Sequence, residues 1–251
     1  MKRLLHNLRV LNTRPQGQNA PLSQAIRDAG GIAIELPTIK IEATQTWVRS
    51  LPDLSTIQKA IFISANAVEH YFSVLKQQQI LWPDSIEIIA IGKASANALQ
   101  QLHIRVNEVP EQANSEHVLA LNTLTNPGQQ NILLIKGEGG RPLIEETLTH
   151  KGANLHVLRV YQRTLPKINH QFIKSIWHDD LVDIILLTSE QSINHLFQLF
   201  EEEAHTWLRN KTCLVLSERL AEAASSLGIK NIIRSHPDGI MDSLFDYVTK
   251  D

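Results

Sequence analysis

The chain has 251 residues, of which 43% are hydrophobic and 20% charged, and its formal net charge is −2. That balance suits a globular protein with one large α/β domain or two small ones, and it excludes the basic field that holds nucleic acid. The single cysteine, Cys213, cannot form an internal disulfide, the first residues lack a signal-peptide pattern, and no window approaches the roughly 20 apolar residues of a membrane span, so a cytoplasmic protein with no membrane and no nucleic-acid partner is expected.

Taken in chain order, the predicted elements repeat one pattern: a short apolar run, a turn of small polar residues, then an amphipathic helix. The run at 8–11 leads through Thr13-Arg14-Pro15 to a helical stripe of Leu22, Ala25, Ile26 and Ala29, closed by Gly30. The run at 61–63 leads through Ser64-Ala65-Asn66-Ala67 to Val68, Tyr71, Phe72 and Leu75. The run at 88–91 enters Gly92-Lys93-Ala94-Ser95, and that at 132–135 enters Lys136-Gly137-Glu138-Gly139-Gly140-Arg141, whose helix ends near Gly152. The run at 184–187 passes Thr188-Ser189-Glu190 to Ile193, Leu196, Phe197 and Phe200. The last, 214–216, passes Ser217-Glu218-Arg219 to Leu220, Ala223, Ala224 and Leu227, closed by Gly228. Runs this short and apolar on both faces are expected of strands buried on both sides, and their alternation with helices predicts parallel sheets.

The pattern also repeats internally. FISANAVEHYF is echoed by LLTSEQSINHLF, AIGKASANAL by VLSERLAEAA, and TRP at 13–15 by GRP at 140–142, each at an offset of about 125 residues. Two similar halves are therefore expected. A simple tandem would divide near Asn126-Pro127-Gly128, but two extended segments, 36–42 and 159–166, read as crossings that would make one domain discontinuous.

In doubly wound sheets ligands bind beyond the C-terminal strand ends, where helix N-termini favour anions. Ser, Thr or Asn at such a junction is ordinarily an N-cap. Six such turns in two repeated halves, four of them with Lys or Arg, also suit a large ligand with several carboxylates or phosphates if the halves face one another. The candidate binding residues are those of the turns: Thr13, Arg14, Ser64, Ala65, Asn66, Ala67, Gly92, Lys93, Ser95, Lys136, Gly137, Gly139, Gly140, Arg141, Thr188, Ser189, Ser217 and Arg219. The glycines at 137–140 match neither a P-loop nor a full dinucleotide fingerprint, because Pro142 stands where the third glycine is wanted. The eleven histidines form no zinc pattern, no G-x-S-x-G elbow is present, and no cofactor or metal is expected. Cys213, inside the run CLVL, reads as inert packing. Tyr161, in the second crossing segment, is the candidate catalytic residue, a hydrogen-bond donor or general acid, although a tyrosine at a domain junction is commonly a packing residue.

The ordered set of Thr13-Arg14-Pro15, FISANAV, AIGKASA, IKGEGGRPLIEETL, VYQRT, LLTSE and LSERLA resembles the uroporphyrinogen-III synthase family over residues 8–248. The resemblance implies two flavodoxin-like doubly wound parallel-sheet domains joined by a two-stranded antiparallel ladder. It divides them as 1–38 with 165–251, and 43–157 inserted, with crossings at 37–42 and 158–166. It also implies a cofactor-free hydro-lyase of haem biosynthesis that closes hydroxymethylbilane, a tetrapyrrole with eight carboxylates, into uroporphyrinogen III with its last pyrrole inverted. Uncatalysed closure gives the symmetric isomer I. Loss of the terminal hydroxyl as water leaves a stabilised azafulvene cation, so a weak acid such as Tyr161 suffices. The tetrapyrrole is the expected small-molecule partner, with the upstream hydroxymethylbilane-forming enzyme as a protein partner and a monomer as the oligomeric state. A common family form of the last turn is Gly-Pro-Thr-Thr, whereas this chain departs from those relatives with Ser217-Glu218-Arg219-Leu220, so those threonine hydroxyls are absent. The competing reading is a cleft-closing binding protein for an anionic small molecule.

Overall fold

A computed structural model describes residues 3–249. Met1, Lys2, Lys250 and Asp251, at the ends of the domain expected to hold both termini, lie outside the described residues. The chain forms two compact units, one from the segments up to Lys40 and from Thr164 onward, the other from Ile41–Arg163. Unit 1 begins with β1 (Arg9–Asn12), α1 (Ala20–Asp28) and β2 (Ile32–Glu35). Unit 2 follows with β3 (Lys40–Ala43), β4 (Lys59–Phe62), α2 (Ala65–Gln77), β5 (Glu87–Ala90), α3 (Lys93–Gln101), α4 (Ser115–Leu119), β6 (Asn131–Gly137), α5 (Leu143–His150) and β7 (Asn154–Thr164). Unit 1 resumes with α6 (His170–His178), β8 (Ile184–Leu187), α7 (Glu190–Leu199), α8 (His205–Asn210), β9 (Thr212–Val215), α9 (Glu218–Ser226), β10 (Asn231–Arg234) and α10 (Ile240–Val248).

The sheet of unit 1 runs β2-β1-β8-β9-β10, all parallel. Numbered along the unit this is the order 2-1-3-4-5, the flavodoxin-like doubly wound arrangement. Unit 2 runs β3-β7-β6-β4-β5, with β7, β6, β4 and β5 parallel and Glu108 bridging to Ile89 on the far side of β5. The internal repeat makes β4 the counterpart of β8, and β5 of β9. Both sheets then share one layout, with β7-β6-β4-β5 standing for β2-β1-β8-β9. The order along the chain is permuted, since β6 comes after β4 and β5 whereas β1 comes before β8 and β9. In each unit the topological switch point falls between the paired central strands, β1 and β8 in one and β6 and β4 in the other.

The central strands are buried on both faces, which is why they read as unbroken apolar runs. Ile61, Ile132 and Leu134 pack with Ile144 and Leu148 on one side of the unit 2 sheet. Phe62, Leu133 and Ile135 pack with Val68, Tyr71 and Leu75 on the other. Strands β2 and β10, absent from the six expected runs, are half-exposed edge strands whose apolar content is diluted by polar neighbours. The two extended segments expected as crossings contain β3 and the end of β7, which are neighbours in the sheet, and the Thr44 amide donates to the Val160 carbonyl at 3.1 Å. Helices α1 and α9 stop at Gly30 (φ +77°) and Gly228 (φ +87°), where the left-handed backbone favours glycine.

Candidate functional site

At the switch point of unit 2, Ser64 caps α2, its Oγ accepting the Ala67 N–H at 3.0 Å. Across from it, the register between β6 and β7 shifts. Lys136 pairs with Arg159, but the next residue, Gly137, pairs with Tyr161. This bulge re-aims the Tyr161 side chain. The ring lies directly on Gly137, where an added Cβ would come within 2.5, 2.7 and 2.9 Å of ring carbons. The phenol thereby crosses the end of β6 and meets Ser64, with Oη 3.1 Å from Oγ. Arg163, two residues further on and so on the same strand face, donates from Nη2 to Tyr161 Oη at 3.2 Å and holds its guanidinium 5.5 Å from the ring centroid. The His70 ring lies beside the phenol with a centroid separation of 5.8 Å.

Tyr161 is only 2% exposed, so its ring is packing surface while its hydroxyl is held by two polar partners. Tyr71, fully buried among Trp47, Phe62, Phe72 and Trp82, makes a useful contrast. Its hydroxyl has no hydrogen-bond partner among the described residues, and burial pushes its ionisation far up. Of these two phenols of unit 2, only Tyr161 has its hydroxyl in hydrogen-bond contact with polar side chains.

The switch point of unit 1 is closed by the protein's own hydroxyls. Thr13 Oγ1 donates to the Leu186 carbonyl at 2.5 Å and lies 3.0 Å from Ser192 Oγ. Thr38 Oγ1 is 2.7 Å from the same Ser192 Oγ, its amide donates to the Thr13 carbonyl, and His195 Nδ1 is 2.6 Å from the Thr38 carbonyl. Thr13, expected as a binding residue, turns its hydroxyl into the interior. Its side chain is fully buried and hydrogen-bonded within unit 1, which leaves its main chain as the part nearer the turn surface. Thr38 and Ser192 were not among the expected residues. Their signal is faint, because a buried hydroxyl looks like any polar turn residue, although His195 and His70 do occupy matching places in the repeat.

Three further expected residues are placed with partners or inward. Lys136, expected to meet an anion, is 3% exposed, and its Nζ is paired with Glu145, which also accepts from Arg159 at 2.9 Å. Ser95 faces inward on α3, 2% exposed. Arg141 is exposed but forks onto Glu116 at 2.6 and 2.9 Å, and that guanidinium holds the Glu116 carboxyl down at about 2. Gly92 is a glycine because an added Cβ would meet Ala113 Cβ at 2.6 Å. Ala67 and Gly137 are buried as well, the Ala67 N–H taken by Ser64 Oγ and Gly137 covered by the Tyr161 ring, whereas the remaining turn residues keep accessible groups. Ala65 and Asn66 form the half-buried first turn of α2, Lys93 and Arg219 are exposed, and Arg14 is half-buried. Gly139 and Gly140 turn through left-handed backbone (φ +74° and +79°) in open surroundings. Thr188 is half-buried, Ser189 caps α7 by accepting the Ser192 N–H at 3.0 Å, and Ser217 caps α9 through the Leu220 N–H at 3.3 Å. Among the described residues no group of three His, Cys, Asp or Glu could hold a metal. Burial pushes the Cys213 thiol up to about 12, which makes it unreactive.

The family model described as uroporphyrinogen-III synthase HemD matches residues 20–245. The uroporphyrinogen-III synthase of Escherichia coli is 30% identical over 228 residues, covering 89% of this chain and 93% of that protein. The fold matches a mutant uroporphyrinogen III synthase from Thermus thermophilus with a TM-score of 0.63 at 18% identity, over 97% of this chain and 99% of that one. The corresponding enzyme of Helicobacter pylori gives a TM-score of 0.63 at 16% identity, over 97% and 99%. With its turns, its two doubly wound sheets and a family match that spans both units, the chain belongs to the uroporphyrinogen-III synthase family.

Proposed function

We propose that this chain closes hydroxymethylbilane into uroporphyrinogen III, inverting the last pyrrole and releasing water. The observation that carries the reading is the family match over residues 20–245, which contains the Ser64, Gly137 and Tyr161 constellation of unit 2. In this reading Tyr161 supplies the proton that lets the terminal hydroxyl leave as water. The first-turn N–H groups of α2 at Ala65 and Asn66, which no carbonyl within the helix can satisfy, take a substrate carboxylate together with Lys93. The Gly139-Gly140 turn, Thr188 with Ser189, Arg14, Ser217 and Arg219 are the remaining places for carboxylates. Lys136, Ser95 and the Thr13 hydroxyl serve as supports.

The reading includes a hand-over from the enzyme that releases hydroxymethylbilane, because free bilane closes unaided to isomer I. A cytoplasmic location is proposed on the strength of the lone, buried thiol, which suits a reducing compartment, and a monomer is proposed as the oligomeric state. None of the described helices is long and apolar enough to cross a membrane. The test is an isomer assay. Purified protein given freshly generated hydroxymethylbilane should yield isomer III, and an isomer mixture identical to the protein-free control would overturn the assignment.

A further inference from the structure

The hydrogen-bond capacities of three side chains determine where the reacting proton leaves the protein. Arg163 can only donate, so it occupies a lone pair of Tyr161 Oη. The phenol O–H then has one acceptor within reach, Ser64 Oγ at 3.1 Å, and no other partner of this hydroxyl is found among the described residues. Ser64 Oγ already accepts the Ala67 N–H. With the phenol O–H as its second donor, both of its lone pairs are filled. What remains to Ser64 is its own O–H, which is free to donate outward. Ser64 is half-buried, whereas Tyr161 is 2% exposed. The serine is therefore the less buried residue of the hydroxyl pair.

Building on the proposed activity, we propose that Ser64 is the group that touches the departing hydroxyl, that Tyr161 recharges it, and that Arg163 is a positioning residue that balances the resulting phenolate. The C–O bond of the hydroxymethyl carbon breaks, and its electron pair leaves on oxygen. That oxygen takes the Ser64 proton and departs as water, while the phenol proton moves to Ser64 Oγ. The phenolate left at Tyr161 faces the Arg163 guanidinium. Ring closure later expels one proton from the attacked pyrrole carbon, and this proton returns through Ser64 to Tyr161. Protons and electrons balance over the cycle, and no co-reactant is needed.

The test compares isomer III formation by the wild type with that of Ser64→Ala, Ser64→Asn, Tyr161→Phe, the Ser64→Ala/Tyr161→Phe double variant, Arg163→Met and Arg163→Lys. Asparagine keeps the N-cap of α2 but cannot pass a proton, so it separates helix capping from relay. Ser64→Ala, Ser64→Asn and Tyr161→Phe should each lower kcat by about 100-fold. The double variant should be no worse than either single one, as expected for groups acting as a unit. Arg163→Met should lower kcat at constant KM, and lysine should restore most of it. A Ser64→Asn protein with near wild-type kcat, or multiplicative losses in the double variant, would overturn the relay. A raised KM with unchanged kcat in Arg163→Met would make that arginine a carboxylate clamp instead and would remove it from the proposal. An inactive wild type would refute the assigned activity, which is a different failure from either of these.

Discussion

Residue 137 is glycine because Tyr161 occupies the space its side chain would need. The three shortest approaches of an added Cβ are all to ring carbons of Tyr161, at 2.5, 2.7 and 2.9 Å. The backbone there is not left-handed, since Gly137 is absent from the positive-φ positions, so an alanine would suffer from the ring alone. Gly137→Ala should cost about 1–3 kcal/mol, the usual range for overpacking, and should push the phenol away from Ser64, with activity falling as for Tyr161→Phe. The coupling gives the check. In a Tyr161→Ala background the same glycine substitution should be nearly neutral, so denaturant midpoints of the four proteins should close a strongly non-additive cycle. Additive losses would mean that the glycine serves the backbone and that the ring is a bystander. This dependence also explains why the site was only partly readable in advance. Ser64 and Gly137 stood out by residue type and turn position, and Tyr161 by its place in the second crossing segment. Their contact depends on a one-residue register shift between β6 and β7, and no spacing in the chain announces that shift.

At the scale of elements, the site rests on a buried ionic tie between β6, α5 and β7. Lys136 Nζ pairs with Glu145 in the first turn of α5, and Arg159 on β7 donates to the other oxygen of the same carboxylate. The side chain of Lys136 is only 4% exposed and that of Glu145 20%. Removing one partner strands a charge, whereas removing both charges does not. Glu145→Gln should therefore destabilise by about 3 kcal/mol, and adding Lys136→Met should recover most of that loss, measured by equilibrium unfolding. Equal damage in the single and double variants would show that the tie itself, beyond the stranded charge, holds the strand ends. Lys136 was expected to bind ligand because a lysine at a strand-to-helix turn looks the same whether it points out or down, and only its pairing with Glu145 nine residues later decides. The strands were far more legible. The six expected strands, β5 at a sheet end among them, are largely buried and stood out within a residue or two, whereas β2 and β10 at the edges of the other sheet are half-exposed along their length and resemble loops.

For the whole molecule, the permuted order of the two sheets has a consequence for folding. The central pair of unit 2, β6 and β4, comes from one continuous stretch, and its registers from Lys59↔Ile132 to Phe62↔Ile135 need no residue outside 41–163. The two faces of that sheet have their own apolar clusters, drawn wholly from the same stretch. Unit 1 is built otherwise. Its central pair joins β1 to β8, with Val10 opposite Ile184 and Asn12 opposite Leu186, so the core of the sheet exists only when segments on either side of unit 2 meet. Contacts this distant in sequence carry a loop-closure cost that folded unit 2 shortens, because it brings Lys40 and Thr164 to adjacent strands. A fragment of residues 40–164 should therefore fold alone, with cooperative unfolding and near-native α/β circular dichroism. The segment from Thr164 onward, lacking β1 and β2, should not. Cys213, the only thiol, reports on the second half of this statement, since it is buried on β9 and shielded only while unit 1 is folded. It should resist labelling in the intact protein and react freely in the isolated C-terminal segment. A 40–164 fragment without a cooperative transition, or a C-terminal segment with a protected thiol, would show that the order of assembly is not set by this nesting.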